Sequence, residues 1–204
     1  MKLLACPKCH QQLHLENKTL KCENNHCYDI SKRGYINLLL NPDKATNNPG
    51  DSKESLVARK AYLNKGYYDP ILNQVITCID EFKHQDDLSI LDLGCGEGYY
   101  TQGLKKHFES SDVYGLDISK IAIDMATRYC KDITWLVGNS KNIPILDHSL
   151  DFICALFTVV NQDELKRALK EDGYIIHVTA NNQHLIEIKE LIYDEIKVKS
   201  DKYI

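Results

Sequence analysis

"LSILDLGCGEG", Leu88 to Gly98, decides how this chain folds. An apolar run of strand length with Asp92 inside it ends on three glycines at alternate positions, Gly94, Gly96 and Gly98, and an amphipathic stretch follows at once. The pattern predicts strand, tight turn and helix, because glycines let the backbone turn sharply and come close to a ligand. A dinucleotide fingerprint, G-x-G-x-x-G, would need glycine at position 99, where Tyr99 stands. The carboxylates of Asp92 and Glu97 would repel a pyrophosphate seated on the helix N-terminus. The turn fits a cofactor that lacks phosphate and carries a cation.

Downstream of this turn the chain alternates. Strands are expected at "LSILDL", "DVYGLD", "ITWLVG", "SLDFICALF" and "YIIHVTA", and helices at "YYTQGLKKHF", "SKIAIDMATRY", "QDELKRALK" and "HLIEIKELIYDEI". This spacing implies βαβ units and an α/β fold with a doubly wound, mainly parallel sheet. Asp117 closes the second strand 23 residues after Gly94, where an acid can accept both hydroxyls of a ribose; the alternative is a cap of the next helix. "GNSKNIP" follows the third strand and would set Asn139 and Ser140 at the edge of an adenine, or form a plain turn.

Upstream, "DSKESLVARKAYLNKGYYDPILNQVITCIDEF" reads as two helices broken near Gly66 and Pro70, with Ser52 as N-cap of the first. Asn, Pro, Asp and Gly crowd positions 41–51, a linker composition.

In "CPKCHQQLHLENKTLKCENNHC", Cys6 and Cys9 form C-x2-C, and Cys22 opens C-x3-H with His26. Four donors of this kind predict a structural, tetrahedral zinc; Cys27 is a rival fourth ligand, since C-x4-C is also permitted. His10 and His14 are expected on the surface. The remaining cysteines, Cys78, Cys95, Cys130 and Cys154, stand singly in apolar segments and are expected to be buried.

Residues 1–36 carry six Lys/Arg against three acids, so within a formal charge of −4 the rest of the chain holds a net −7. Three thiolates and one zinc ion would subtract one charge and leave the front positive, which suits contact with phosphate. The 204 residues suffice for one core and a small module. The N-terminus lacks a secretory apolar region, and no stretch approaches the roughly 20 apolar residues of a membrane span, so a cytoplasmic protein is expected.

"LDLGCGEG" resembles the first motif of class I S-adenosylmethionine-dependent methyltransferases, which have a Rossmann-like sheet. The order of zinc knuckle, "DISKRGYINLL", "PGDSKESLVARKAYLNKGYYDP", "LDLGCGEGYYT", "GLDISKIAI" and "HLIEIKELIYDEI" resembles the large-subunit ribosomal RNA guanine-N1 methyltransferases across essentially the whole chain. That resemblance implies methyl transfer from S-adenosylmethionine to guanine N1 in a hairpin of the large-subunit RNA, and in some members resistance to macrolides. It implies a zinc-binding, RNA-recognising module over 1–36, a linker over 37–51 and a methyltransferase domain over 52–204. By position it places zinc on Cys6, Cys9, Cys22 and His26, and cofactor contacts on Gly96, Glu97, Tyr68 and His184. Gly94, Gly98, Asp117, Asn139 and Ser140 complete the expected cofactor set.

The chain departs from these relatives where they resemble "RIYAP" and "KPGG", having "ALFTV" and "KEDG" instead. Relatives also continue past "KSDKYI" into the last strands of the sheet, so an open sheet edge is expected, which invites a second copy of the chain. "FTVVNQDEL", where an acceptor for the guanine proton is expected, has no acid before Asp163, and no catalytic residue is assigned. The rival readings are an RNA- and cofactor-binding homologue without methyl transfer, and a small-molecule methyltransferase.

Overall fold

The structure, a computed structural model, describes residues 1–40, 50–128, 130–181, 183–184 and 186–193. Most of the expected linker, positions 41–49, lies outside the described residues.

Six strands form one parallel sheet in the order β4-β7-β6-β5-β8-β9, where β4 is Ile36–Asn37, β5 Ser89–Leu93, β6 Asp112–Asp117, β7 Thr134–Val137, β8 Leu150–Leu156 and β9 Leu169–Val178. The inner strands are largely apolar, as strands covered on both faces must be, whereas the edge strand β9 is more polar and partly exposed. Before them, β1 (His14–Glu16), β2 (Thr19–Lys21) and β3 (Cys27–Asp29) make a small antiparallel sheet.

Alternation along each strand divides the core into two layers. Ile90, Val113, Trp135 and Phe152 face α2 (Asp69–Phe82), α3 (Tyr99–His107) and α4 (Lys120–Ala126). Leu91, Leu116, Leu136 and Ile153 face the other way, and there they share one core with Leu4, Cys6, Leu13, Leu20 and Cys22 of the cysteine module and with Leu165 and Ala168 of α5 (Gln162–Ala168). The module therefore occupies a place in the sheet's second layer that a helix usually takes. Fully burying a side chain such as Leu4 stabilises by about 1.5–3 kcal/mol, so this docking is substantial.

The expected helix starts hold where a cap specifies them. Ser52 accepts the Ser55 N–H at 3.2 Å ahead of α1 (Lys53–Leu63), and Asn161 accepts from Glu164 ahead of α5. The fifth strand differs from expectation: β9 begins at Leu169, immediately after α5, and runs through "KEDG". Leu169 pairs with Leu150, the register shifts before Phe152 meets Tyr174, and a Cβ on Gly173 would lie 2.9 Å from the Leu150 carbonyl, so glycine permits the close passage. Among the described residues no strand pairs with the outer edge of β9. Of the expected last helix, α6 (Ile186–Ile192) is described, and no described helix is long and apolar enough to cross a membrane.

Candidate active site and metal centre

Cys6 and Cys9 sit on the turn that closes when the Cys9 and His10 N–H groups reach the Cys6 carbonyl; Cys22 and His26 sit on the turn between β2 and β3. Their four donor atoms lie within 4.8 Å of one another. His26 Nδ1 is 3.4 Å from Cys6 Sγ and 3.5 Å from both Cys9 Sγ and Cys22 Sγ, and the two latter sulfurs are 3.7 Å apart. A tetrahedral zinc with Zn–S about 2.3 Å and Zn–N about 2.0 Å requires S–N edges of about 3.5 Å and S–S edges of about 3.8 Å. These edges match a tetrahedral zinc. The Tyr28 hydroxyl, 3.3 Å from Cys6 Sγ, supports the cluster from outside. Burial raises the Cys6 thiol, whereas the Gln11 backbone N–H holds Cys9 down at about 6. The rival donor Cys27 is exposed and turns its thiol to the Asn25 carbonyl, 3.4 Å away. His10 and His14 are exposed.

At the carboxyl ends of the parallel strands, where the order reverses beside β5, two adjoining cavities open. One, about 350 Å³, is lined by Tyr68, Gly94, Gly96, Glu97 and His184, together with Arg59, Tyr62, Tyr99, Tyr100 and Phe157. The other, about 240 Å³, is lined by Gly94, Asp117, Asn139, Ser140 and Thr158. Of the expected cofactor residues only Gly98 lines neither. It caps α3 at φ +88°, and a Cβ there would lie 2.6 Å from the Trp135 ring, so packing accounts for it.

Gly96 also has positive φ, +56°, but a Cβ would meet nothing within 4 Å, so its backbone faces open space. Its N–H donates to Asp117 Oδ2 at 2.9 Å while Ser119 N–H donates to Oδ1 at 2.7 Å. Ser119, not Asp117, caps α4. Asp117 thus ties the glycine turn to the second strand and retains lone pairs for a ligand.

Three acids gather here. Asp92, buried and accepting from the Thr101 hydroxyl at 2.5 Å, is pushed up to about 7, chiefly by burial. Glu97 and Asp117 are raised by burial too, the latter against the pull of its two backbone donors. Glu97 is 3 % exposed, lines the larger cavity and has a buried carboxylate oxygen without a hydrogen-bond partner. An orphaned acid beside an open glycine backbone fits a cationic, phosphate-free cofactor.

The loop under the smaller cavity is gripped from two sides. On the module side, Ala5 N–H donates to the Pro144 carbonyl (3.0 Å), Leu146 N–H to the Leu3 carbonyl (2.9 Å), and Asn142 Nδ2 to the Pro7 carbonyl (2.8 Å). On the helix side, Arg167 donates to the carbonyls of Ile143 (2.7 Å) and Ile145 (2.8 Å), and Glu164 accepts the Ile143 N–H (2.7 Å).

Sequence reasoning missed Arg59, Tyr62, Tyr99, Tyr100 and the rim role of Phe157; the loop carrying Phe157 was singled out, but for a proton acceptor it does not contain. Of the single cysteines, Cys95 and Cys154 are buried as expected, but Cys78 and Cys130 are half-buried, and Cys95 lines the larger cavity.

A parallel sheet with this glycine turn and acid-lined crevice is a class I S-adenosylmethionine-dependent methyltransferase, here with a zinc-binding ribbon. A family model described as a methyltransferase domain matches residues 90–173, and one described as RlmA, N-terminal, a zinc ribbon, matches residues 4–45. The chain is 30% identical over 200 residues, 95% of its length and 70% of the relative's, to a putative 23S rRNA (guanine-N1)-methyltransferase of Bacillus subtilis. It is 28% identical, over 94% of its length and 68% of the relative's, to the 23S rRNA (guanine(748)-N1)-methyltransferase of Streptomyces fradiae. The chain belongs to the 23S rRNA (guanine-N1)-methyltransferase family. Among solved structures, a putative S-adenosylmethionine-dependent methyltransferase of Methanococcus maripaludis shares the fold at TM-score 0.53 and 22% identity, over 72% of this chain and 74% of that one.

Proposed function

We propose that this protein methylates N1 of a guanine in a hairpin of large-subunit ribosomal RNA, in the cytoplasm. The observation that carries the reading is the joining, in one core, of a Cys3His cluster and an acid-lined methyltransferase cleft, in the same chain order as relatives matched over about 95% of the chain. The zinc module over 1–36, with its positive charge, approaches the RNA; Cys6, Cys9, Cys22 and His26 hold the metal; residues 52–204 carry the chemistry.

S-adenosylmethionine supplies an electrophilic methyl group on a sulfonium. Glu97 would take the ammonium of its amino-acid part, with Tyr68, Gly94, Gly96 and His184 around it, and Asp117 the ribose hydroxyls. Asn139 and Ser140 would border the adenine. Leu63, Leu156 and Phe157 wall the larger cavity with apolar surface that displaces water. Most of the rate enhancement then comes from holding guanine N1 in line with the methyl carbon. Its proton must leave, and His184 is a lining side chain with a ring nitrogen able to accept it. A second copy pairing along β9, and altered macrolide susceptibility of cells carrying the protein, belong to the same proposal.

The test is incorporation of labelled methyl from S-adenosylmethionine into unmodified large-subunit RNA, with the product nucleotide mapped by mass spectrometry. N1-methylguanine at one hairpin is expected. RNA that stays unlabelled while cofactor and RNA both bind would leave a binding protein without transfer.

A further inference from the structure

Four rings stand in series at the mouth of the larger cavity. Tyr67 and Tyr62 have centroids 5.2 Å apart, Tyr62 and Tyr68 6.1 Å, and Tyr68 and Phe157 6.1 Å. They come from three places in the chain: Tyr62 from α1, Tyr67 and Tyr68 from the turn before α2, and Phe157 from the end of β8. Tyr67 is 63%, Tyr62 50% and Phe157 47% exposed. Single exposed rings are ordinary, but a contiguous row is not, and this row leads inward: its members Tyr62, Tyr68 and Phe157 line the cavity beside Gly96 and Glu97.

Phe157 carries a second mark. Its φ is +57°, a left-handed conformation that is an outlier for a bulky aromatic and costs about 1 kcal/mol or more. Packing does not explain the cost, because the ring is half exposed. Its N–H is anchored on the Val178 carbonyl at 2.8 Å, so the backbone holds the ring over the cavity. From Cys154 to Gln162 no side chain is ionisable apart from the Cys154 thiol, so this wall offers faces and not charges. The helix that carries Tyr62, α1, also brings Lys53, Arg59 and Lys60 against Glu54 alone, and Arg59 lines the same cavity while ion-paired to Asp51. Open ring faces beside a cationic helix match a nucleotide, which offers a π-face and a phosphate.

We propose that Phe157 and Tyr62 form the platform on which one unpaired purine of an RNA loop stacks, with its phosphate toward α1. This deepens the methyl-transfer reading and rests on it for the identity of the base. Both rings touch the substrate; Tyr68 stands between them and fixes their spacing.

Two readouts on the full-length, zinc-loaded chain test this. The first is steady-state methylation of unmodified large-subunit RNA by Phe157→Leu, Tyr62→Leu and Phe157→Tyr. Each Leu variant should lose about 10- to 100-fold in turnover, the worth of one base–aromatic stack, with S-adenosylhomocysteine affinity unchanged and Phe157→Tyr close to the native chain. The second is quenching of an RNA hairpin carrying 2-aminopurine in its loop, with S-adenosylhomocysteine present. The native chain should quench it, and the Leu variants should bind the RNA without quenching. Quenching without methylation by the native chain would remove the transfer reading and leave the platform standing. Methylation and quenching undiminished in the Phe157→Leu/Tyr62→Leu double variant, or no quenching by the native chain, would overturn the platform.

Discussion

At the end of the cleft assigned to adenine, the loop from Gly138 to Asp147 is held on one side by the backbone of the zinc module and on the other by Arg167 and Glu164 of α5. At the end assigned to the methyl group, the walls are rings with open faces, joined by Arg59, His184 and Glu97, an acid whose charge burial disfavours. One end is tied down by internal hydrogen bonds, although Asn142 Oδ1 has no partner, and the other leaves ring faces open and a Glu97 oxygen unpaired. The contrast separates two tasks of one cofactor site. Adenosine needs a preformed socket, whereas the reacting end must accept a cation and a substrate that arrive later. It also gives the module a second duty: residues 3–7 hold the loop beneath the smaller cavity through three hydrogen bonds.

The largest expected effect comes from the metal. Stripping zinc, or changing Cys22→Ser, should cost several kcal/mol of stability, since structural zinc contributes on the order of 10 kcal/mol in zinc-finger peptides. S-adenosylhomocysteine affinity should fall at least about tenfold by calorimetry, because the adenine floor loses its support. Unchanged affinity in zinc-free protein would sever the module from the socket and restore it to a pure RNA arm.

Next is Arg167→Ala. The side chain is 20% exposed and paired to Glu164 at 2.9 Å and Asp147 at 2.6 Å. Removing it leaves Glu164 and two loop carbonyls without their partner, so a loss of about 3 kcal/mol in thermal or denaturant unfolding is expected. Cofactor affinity should weaken with it while quenching of 2-aminopurine RNA persists. Equal loss of both functions would show that the two ends are not independent.

The smallest effect is a pH dependence at the methyl end. Burial raises Asp92 from 3.8 to about 7 and raises Glu97 and Asp117 as well. A carboxyl raised on folding contributes stability that is complete below its unfolded pKa and lost as pH climbs through the folded value, so the ligand-free protein should weaken between pH about 4 and about 7. A sulfonium in the cleft favours the ionised acids. The affinity ratio of S-adenosylmethionine to S-adenosylhomocysteine should therefore rise by about threefold or more from pH about 5.5 to about 7.5. A ratio that does not move would mean the acids do not sense the cofactor's charge.

How much of this was legible can be read from particular residues. The glycine turn and Asp117 were legible because a glycine turn after a buried strand and an acid closing the next strand are short-range signals, whereas Gly96 and Glu97 were named through the family resemblance. The boundary of β9 was misplaced because "KEDG" reads as a turn, and only pairing with Leu150 makes it strand. Tyr62 and Arg59 left no trace, since a helical stretch of mixed polarity does not say which face meets a cavity. Trp135, which closes on Gly98, is also invisible at a distance of 37 positions.

The amino-acid sequence by itself determined what depends on neighbours within about twenty residues: the strand and helix periods, the glycine turn, the cap at Ser52, and the spacing of the zinc donors. Tertiary structure decided what depends on which surfaces meet. It turned His26 inward and Cys27 outward, set the cysteine module into the second layer of the sheet, clamped the 138–147 loop with Arg167, and gathered four rings from three elements at one mouth. Local dihedral preferences and donor spacing are written into a short segment. Packing between segments far apart is settled by shape and burial across the whole core, which leave no period to read.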